Sequence, residues 1–281
     1  MTNAHLKDPK PKRKDWRLRA AIRAGRVSRS FELLPYKVQK LIQLITNNFA
    51  LGILRRDGID DLVEFSYAED QDYYNPNSYN YQWEQSIVEP LHEHSVSKDL
   101  LVAFCGKGRE AKIFAKAGFT VTGIDREAFM IEGAIENVKA NNFEASFECA
   151  DFNTYTSDQP FSVVYTSTWM FTTYPGKEAR RQFLEKCKEL RSEDGLIVIS
   201  YRLRNNRKSD KIGYYIAKFF SLVTRGNQDL SIGDQIENLL FWKYFTENEI
   251  DTEIAEAGLC SCYHHSIENG RIQWKFLVAS N

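Results

Sequence analysis

The chain has 281 residues, 43% hydrophobic and 27% charged, enough to bury one large core or one core with a small appendage, so one main domain is expected. Its formal net charge of -1 conceals ten Lys or Arg against Asp8 and Asp15 in residues 1–30, which leaves a basic tail on an acidic body. No apolar signal core opens the sequence, no run of about 18 apolar residues occurs, and the five cysteines (105, 149, 187, 260, 262) are odd in number and mostly sit in apolar runs. These features argue against a transmembrane segment and a secreted disulfide framework, and lead us to expect a soluble, cytoplasmic protein with reduced thiols.

Residues 1–15, with Pro9, Pro11 and a Lys/Arg cluster, read as a flexible basic arm; solvation is the expected role, ahead of contact with nucleic acid or a membrane surface. Residues 16–98 form an N-terminal helical and aromatic extension. Between Phe31 and Leu54 the positions Val38, Leu41, Ile42, Ile45 and Phe49 follow the spacing of an amphipathic helix that packs on the main domain. Tyr67–Trp83 is dense in Tyr, Asn and Asp, is broken by Pro76, and reads as an aromatic loop entering a helix near Gln82. The pairs His92/His94 and His264/His265 lack a matching carboxylate cluster, and Cys260-Ser261-Cys262 has no second thiol pair, so no metal is expected.

From residue 99 to 281 strand-like and helix-like segments alternate, which predicts an α/β Rossmann-like sheet of seven mostly parallel strands covered on both faces. The strands fall near 100–105, 120–125, 145–150, 161–167, 195–201, 258–265 and 271–279, with helices near 109–117, 127–140, 177–191 and 247–257. Thr246 and Glu249 have capping-box spacing at the start of the last helix. Only Glu268-Asn269-Gly270 separates the last two strands, so they must form an antiparallel C-terminal hairpin. Residues 204–244 break the alternation and read as an inserted lid, with a helix covering the site. The most informative segment is Leu100–Asp125. An apolar strand runs into Phe104-Cys105-Gly106-Lys107-Gly108, then a helix, then a second strand ending in Asp125, the first half of a nucleoside-binding unit in which the acid holds ribose hydroxyls.

These residues resemble the class I S-adenosylmethionine-dependent methyltransferases over roughly residues 80–281. That family's usual first motif has an acid at the position of Val102 and glycines at 104, 106 and 108; here the acid and the first glycine are absent. Ala103-Phe104-Cys105-Gly106-Lys107-Gly108 instead looks like the motif variant of thiopurine and related thiol methyltransferases. The resemblance implies S-adenosyl-L-methionine as cofactor, with the turn Phe104, Cys105, Gly106, Lys107 and Gly108 on its methionine part, Asp125 at the ribose, Asp151 and Phe152 at the adenine, and Arg126 among the cofactor-binding residues. It further implies that Tyr81 or Trp83 closes over the cofactor. The segment after the fourth strand faces the acceptor in this family, which makes Tyr165, Thr166, Trp169 and Tyr174 the catalytic candidates. The Asn/Asp-Pro-Pro-Tyr signature of methyltransferases acting on nucleic-acid bases and glutamine amides is missing, so a small or medium-sized acceptor is expected.

Two other classes remain open at this stage. A nicotinamide-dependent oxidoreductase also uses a glycine turn and a strand-end acid, but Gly106-Lys107-Gly108-Arg109-Glu110-Ala111 keeps only two glycines plus the permitted Ala, and a terminal antiparallel hairpin is foreign to its sheet. A non-catalytic cofactor-binding subunit that docks a partner through the basic arm is the second alternative, prompted by the missing acid at Val102.

Overall fold

The computed structural model describes residues 15–29, 35–69, 83–204, 208–267 and 272–279. In chain order these form helices α1 (Trp16–Arg29), α2 (Tyr36–Ile53) and α3 (Arg56–Glu69), a 3-10 turn at Trp83–Ile87, and α4 (Val88–His94). There follow β1 (Asp99–Ala103), α5 (Arg109–Lys116), β2 (Thr120–Asp125), α6 (Ala128–Asn141), β3 (Ser146–Cys149) and β4 (Phe161–Thr166). A second 3-10 turn at Met170–Thr173 leads to α7 (Lys177–Leu190) and β5 (Arg191–Leu203). The remainder is α8 (Lys208–Thr224), β6 (Asp234–Glu237), β7 (Leu240–Phe245), α9 (Glu247–Glu256), β8 (Leu259–Ile267) and β9 (Ile272–Ala279). The chain divides into two compact units, residues 1–71 with 205–244 and residues 72–204 with 245–281.

In the second unit seven strands pair in the order β3-β2-β1-β4-β5-β9-β8. The pairs from β3 to β5 are parallel, and β9 runs antiparallel to both β5 and β8. The turn at 268–270 lies outside the described residues, but the pairing on either side of it is the expected hairpin. Burial on both faces explains the near-continuous apolar strands. Leu101, Ala103, Val164, Ile197 and Ile199 join one core cluster, while their neighbours Leu100, Val102, Val163, Leu196 and Val198 join the other, the period-two split of a pleated sheet. The carboxyl ends of β1, β2, β3 and β4 therefore form one edge, and the loops that follow them are where an open α/β sheet holds a ligand. The capping box of α9 is formed, with Thr246 Oγ1 accepting from the Glu249 amide and Glu249 Oε2 from the Thr246 amide.

The first unit packs α1, α2, α3, α8 and the β6–β7 hairpin around Leu18, Ala21, Leu51, Ile53, Leu62 and Phe241. Three features of this unit refine what the sequence implies. Val38, Leu41 and Ile45 are exposed, and the buried part of α2 is its last turns, Asn48 and Ala50 to Ile53. The insertion holds a hairpin as well as a helix. Its two-residue turn places Asn238 and Leu239 at φ +52° and +65°, the mirror-image geometry that matches strand twist. Burial of Leu239 near Gly25 offsets the strain of a left-handed leucine. Finally, the inner face of α8 (Gly213, Ala217, Ser221) lies against α2, while Ile212, Tyr215, Phe219, Leu222 and Val223 on its outer face are exposed. No described helix is long and apolar enough to cross a membrane.

Glycine sets the α2–α8 spacing: a Cβ on Gly52 would stand 2.3 Å from the Ala217 carbonyl oxygen and 2.9 Å from Phe220 Cβ. Alanine gains up to about 1 kcal/mol of helix propensity, whereas overpacking of this kind costs about 1–3 kcal/mol. Gly52→Ala is therefore expected to lower the urea midpoint, and an unchanged or raised midpoint would show that the two helices part without cost.

Candidate functional site

The site is built on the turn that leaves β1. Cys105 N donates to Ile124 O (2.9 Å) and Gly108 N to Cys105 O (2.9 Å), so the chain doubles back beside the end of β2 before entering α5. Phe104, Gly106 and Gly108 have φ of +59°, +52° and +77°. The family resemblance places a glycine at the first of these positions, and here a phenylalanine takes the same left-handed backbone. Its ring packs 4.9 Å from Phe152 and 6.1 Å from Phe183, and that aromatic packing offsets a backbone strain of about 1–2 kcal/mol. From α6, Asn137 Nδ2 donates to Lys107 O (3.0 Å) and Gly108 O (3.2 Å) and ties the far side of the turn down. The Lys107 stem lies over Gly133.

Asp125 joins the turn to β2. Its Oδ2 accepts from Gly106 N at 2.9 Å and its Oδ1 from Glu127 N at 3.0 Å. Burial raises its carboxyl above the ordinary value, and the two backbone donors work against that rise. Each oxygen keeps a lone pair for a ligand hydroxyl. β2–β3 pairing sets Asp125 opposite Cys149, and Ala150 N donates to Asp125 O (3.0 Å), which brings Asp151 to the same strand-end edge. Asp151 is exposed, and its Oδ1 accepts from the backbone and side-chain amides of Asn153. Phe152 is a core residue, 3% exposed. Arg126 is exposed and pairs with Glu127. Tyr81 lies outside the described residues.

Of the acceptor-side candidates, Tyr165 and Thr166 are adjacent on β4 and so point to opposite faces of the sheet, both fully buried. Thr166 Oγ1 is spent on Val198 O (3.1 Å). Burial, then the charges of Glu84 and Glu110, push the Tyr165 phenol well above its usual range, and its hydroxyl meets Thr168 Oγ1 at 3.2 Å. Tyr165 is thus a hydrogen-bonding group at neutral pH. Trp169 takes a left-handed backbone (φ +71°), held by a hydrogen bond from its amide to Ser200 Oγ. Its ring lies 5.3 Å from Trp83, with the Arg202 guanidinium 4.0 Å from its centroid. Tyr174 packs on Phe183 at 4.8 Å and Phe104 at 6.4 Å, and burial raises its phenol. The structure therefore brings Trp83 and Trp169 together and separates Tyr165 from Thr166.

A charged cluster that no sequence motif announces forms among Glu84, Arg109, Glu110, Ser167 and Thr168. Arg109 Nη2 lies 2.8 Å from both Glu84 Oε1 and Glu110 Oε1. Thr168 donates to Glu84 Oε1 (2.5 Å) and Ser167 to Glu110 Oε1 (2.7 Å). Burial works against the charge of Glu110, but Arg109 and the Ser167 hydroxyl outweigh it and lower its pKa. Burial and then repulsion from Glu110 raise Glu84 from 4.5 to about 7. The usable signal was Glu110 at helical spacing from buried Phe114, a carboxylate inside the apolar stripe of α5. Among the described residues no three His, Cys, Asp or Glu side chains gather as a metal site.

The family model described as "Methyltransferase domain" matches residues 100–195. The tRNA (uracil(54)-C(5))-methyltransferase of Pyrococcus abyssi (strain GE5 / Orsay) is 34% identical over 96 residues, which are 34% of this chain and 22% of that protein, so the chain spans about a fifth of that relative's length. Among solved structures, the 1,6-didemethyltoxoflavin-N1-methyltransferase of Burkholderia thailandensis aligns over 79% of this chain and 87% of its own with TM-score 0.56 and 13% identity. A methyltransferase from Clostridium acetobutylicum ATCC 824 aligns over 76% and 99% with TM-score 0.55 and 12% identity. At such identities the solved structures show the fold. Residues 100–195 thus match a methyltransferase domain model, and the sheet of the second unit has the fold of these solved methyltransferase structures. The interior antiparallel β9 sets this sheet apart from the one expected of a nicotinamide enzyme.

The two site glycines are separable. A side chain on Gly108 would meet Ala134 Cβ and Phe147 Cζ at 3.2 Å in addition to the left-handed backbone, whereas at Gly106 nothing lies within 4 Å of the added carbon. Both alanine variants should lose about 1–2 kcal/mol from the backbone. Urea denaturation is expected to show Gly108→Ala as the more damaging; equal losses would mean that α6 and β3 yield to the new methyl.

Proposed function

We propose that the protein is an active S-adenosylmethionine-dependent methyltransferase that transfers a methyl group to an O, N or S atom of a small or medium-sized acceptor, with catalysis in the second compact unit. The observation that carries this reading is the Gly106–Asp125 hydrogen bond at 2.9 Å, which holds an open glycine turn and a ribose-binding carboxylate together at the carboxyl edge of a sheet of this order. The residues fit the cofactor: a Cβ on Gly106 would point into open space, leaving the backbone of 104–108 accessible to the methionine part. In this reading Asp125 accepts from the ribose hydroxyls and Asp151 Oδ2 from the adenine amino group. Phe152 supports the adenine side from within the core through its packing on Phe104.

When bound, the cofactor supplies an electrophilic methyl on a sulfonium, and the protein's part is alignment and removal of water. Trp83, Trp169 and Arg202 form an aromatic and cationic wall on the acceptor side, and Tyr174 lines the approach from Phe104. Tyr165 and Thr166 act from beneath, Tyr165 by fixing Thr168 and Thr166 by fixing β4 to β5. The Burkholderia thailandensis relative, whose structure holds 1,6-didemethyltoxoflavin and S-adenosylhomocysteine, supports an acceptor of that size class.

S-adenosylhomocysteine is expected to raise the melting temperature through preferential binding to the folded state, a nicotinamide cofactor to leave it unchanged, and Asp125→Ala to abolish the shift. An undiminished shift in the variant would remove Asp125 from the ribose site. A shift with the nicotinamide alone would overturn the methyl-donor reading.

A further inference from the structure

Beside the glycine turn two buried acids share one base. Glu84 and Glu110 both lean on Arg109, the residue that directly follows Gly108, so with both carboxyls ionised the group carries one uncompensated negative charge. Glu84 is fully buried; its Oε1 takes the bonds from Arg109 and Thr168, and its Oε2 has no hydrogen-bond partner among the described residues. An unpaired buried carboxylate oxygen is costly, and a positively charged N–H donor would satisfy it and also balance the charge of the group. Val102, where the resemblance implies an acid, is an apolar core residue, so β1 offers no carboxylate to a cation at this end of the turn.

We propose that Glu84 is the acid that receives the α-ammonium of the methionine half of S-adenosylmethionine, from a 3-10 turn that precedes the sheet rather than from the first strand. The inference rests on the methyl-donor reading above. The ammonium supplies the missing donor to Oε2 and brings the cluster to neutrality. Arg109 remains shared by both acids and keeps Glu110 ionised, while Thr168 holds Glu84 Oε1 and is itself braced by Tyr165. Arg109, Glu110, Thr168 and Tyr165 are the charged, titratable and hydrogen-bonding groups that face Glu84. Because burial and repulsion from Glu110 raise the Glu84 carboxyl, taking up the ammonium favours its ionised form, and affinity for the amino-acid end rises with pH as that carboxyl ionises.

Isothermal titration calorimetry with S-adenosylhomocysteine and with 5'-methylthioadenosine, which keeps the nucleoside and thioether but lacks the amino-acid end, tests this on the full chain and on Glu84→Gln. The wild type is expected to prefer S-adenosylhomocysteine, more strongly at about pH 7.5 than at about pH 6. Glu84→Gln is expected to lose about tenfold or more of that affinity, keep its 5'-methylthioadenosine affinity, and show no pH-dependent preference. Retained 5'-methylthioadenosine binding also shows that the variant is folded. Unchanged S-adenosylhomocysteine affinity in the variant would overturn the proposal and turn Oε2 toward an acceptor amine, and equal loss of both ligands would overturn it in favour of a structural role. Failure of the wild type to bind either ligand would instead overturn the methyl-donor reading itself.

Discussion

The carboxylate of Asp125 is the constraint from which the site follows. Two backbone N–H groups, from Gly106 and Glu127, donate to it, one to each oxygen, so one side chain fixes both the turn after β1 and the entry to α6. Burial alone would favour the neutral acid, and those donors are what make a charged oxygen pair tolerable at the sheet edge. Three left-handed residues in five, one of them a phenylalanine, are held in a turn that few local preferences would select. The aromatic packing of Phe104 and the amide of Asn137 secure the same turn from its other faces.

Much of this architecture was legible because burial and backbone geometry write themselves into residue order. The seven strands of the second unit and α5, α6, α7 and α9 fall within a few residues of their expected bounds, since doubly buried strands read as apolar runs and helices as three-four spacing. Thr246 and Glu249 announced the start of α9 by chemistry alone. The hairpin at 234–245 stayed hidden because its turn uses Asn238-Leu239, where a glycine would have been the signal, and Leu239 owes its conformation to tertiary burial near Gly25. The exposed apolar residues of α2 were misjudged for a related reason: periodicity marks a face but does not say that a neighbour covers it.

The site was read unevenly. Glycines and strand-end acids are visible as a motif because spacing along the chain determines their place. Glu84, Arg109, Glu110, Ser167 and Thr168 come from the 3-10 turn at Trp83–Ile87, α5 and the loop after β4, so their meeting is a product of the fold. Tyr165 and Thr166 show the converse. The resemblance implies that both belong to the acceptor-facing segment, and the pleat of β4 sends them to opposite sides. Their value lies in bracing Thr168 and the β4–β5 ladder.

The position of β9 has a consequence for how the molecule comes into being. Of the nine strands among the described residues it is the last in chain order, yet it sits between β5 and β8 inside the sheet. Until it emerges from the ribosome, the edge of β5 presents unpaired amides and carbonyls along Ile197–Tyr201, and β8 has no partner strand in this sheet. The half of the sheet built from β1 to β4 can assemble earlier in translation, while closure of the other half waits on a single late segment whose arrival seals both open borders at once.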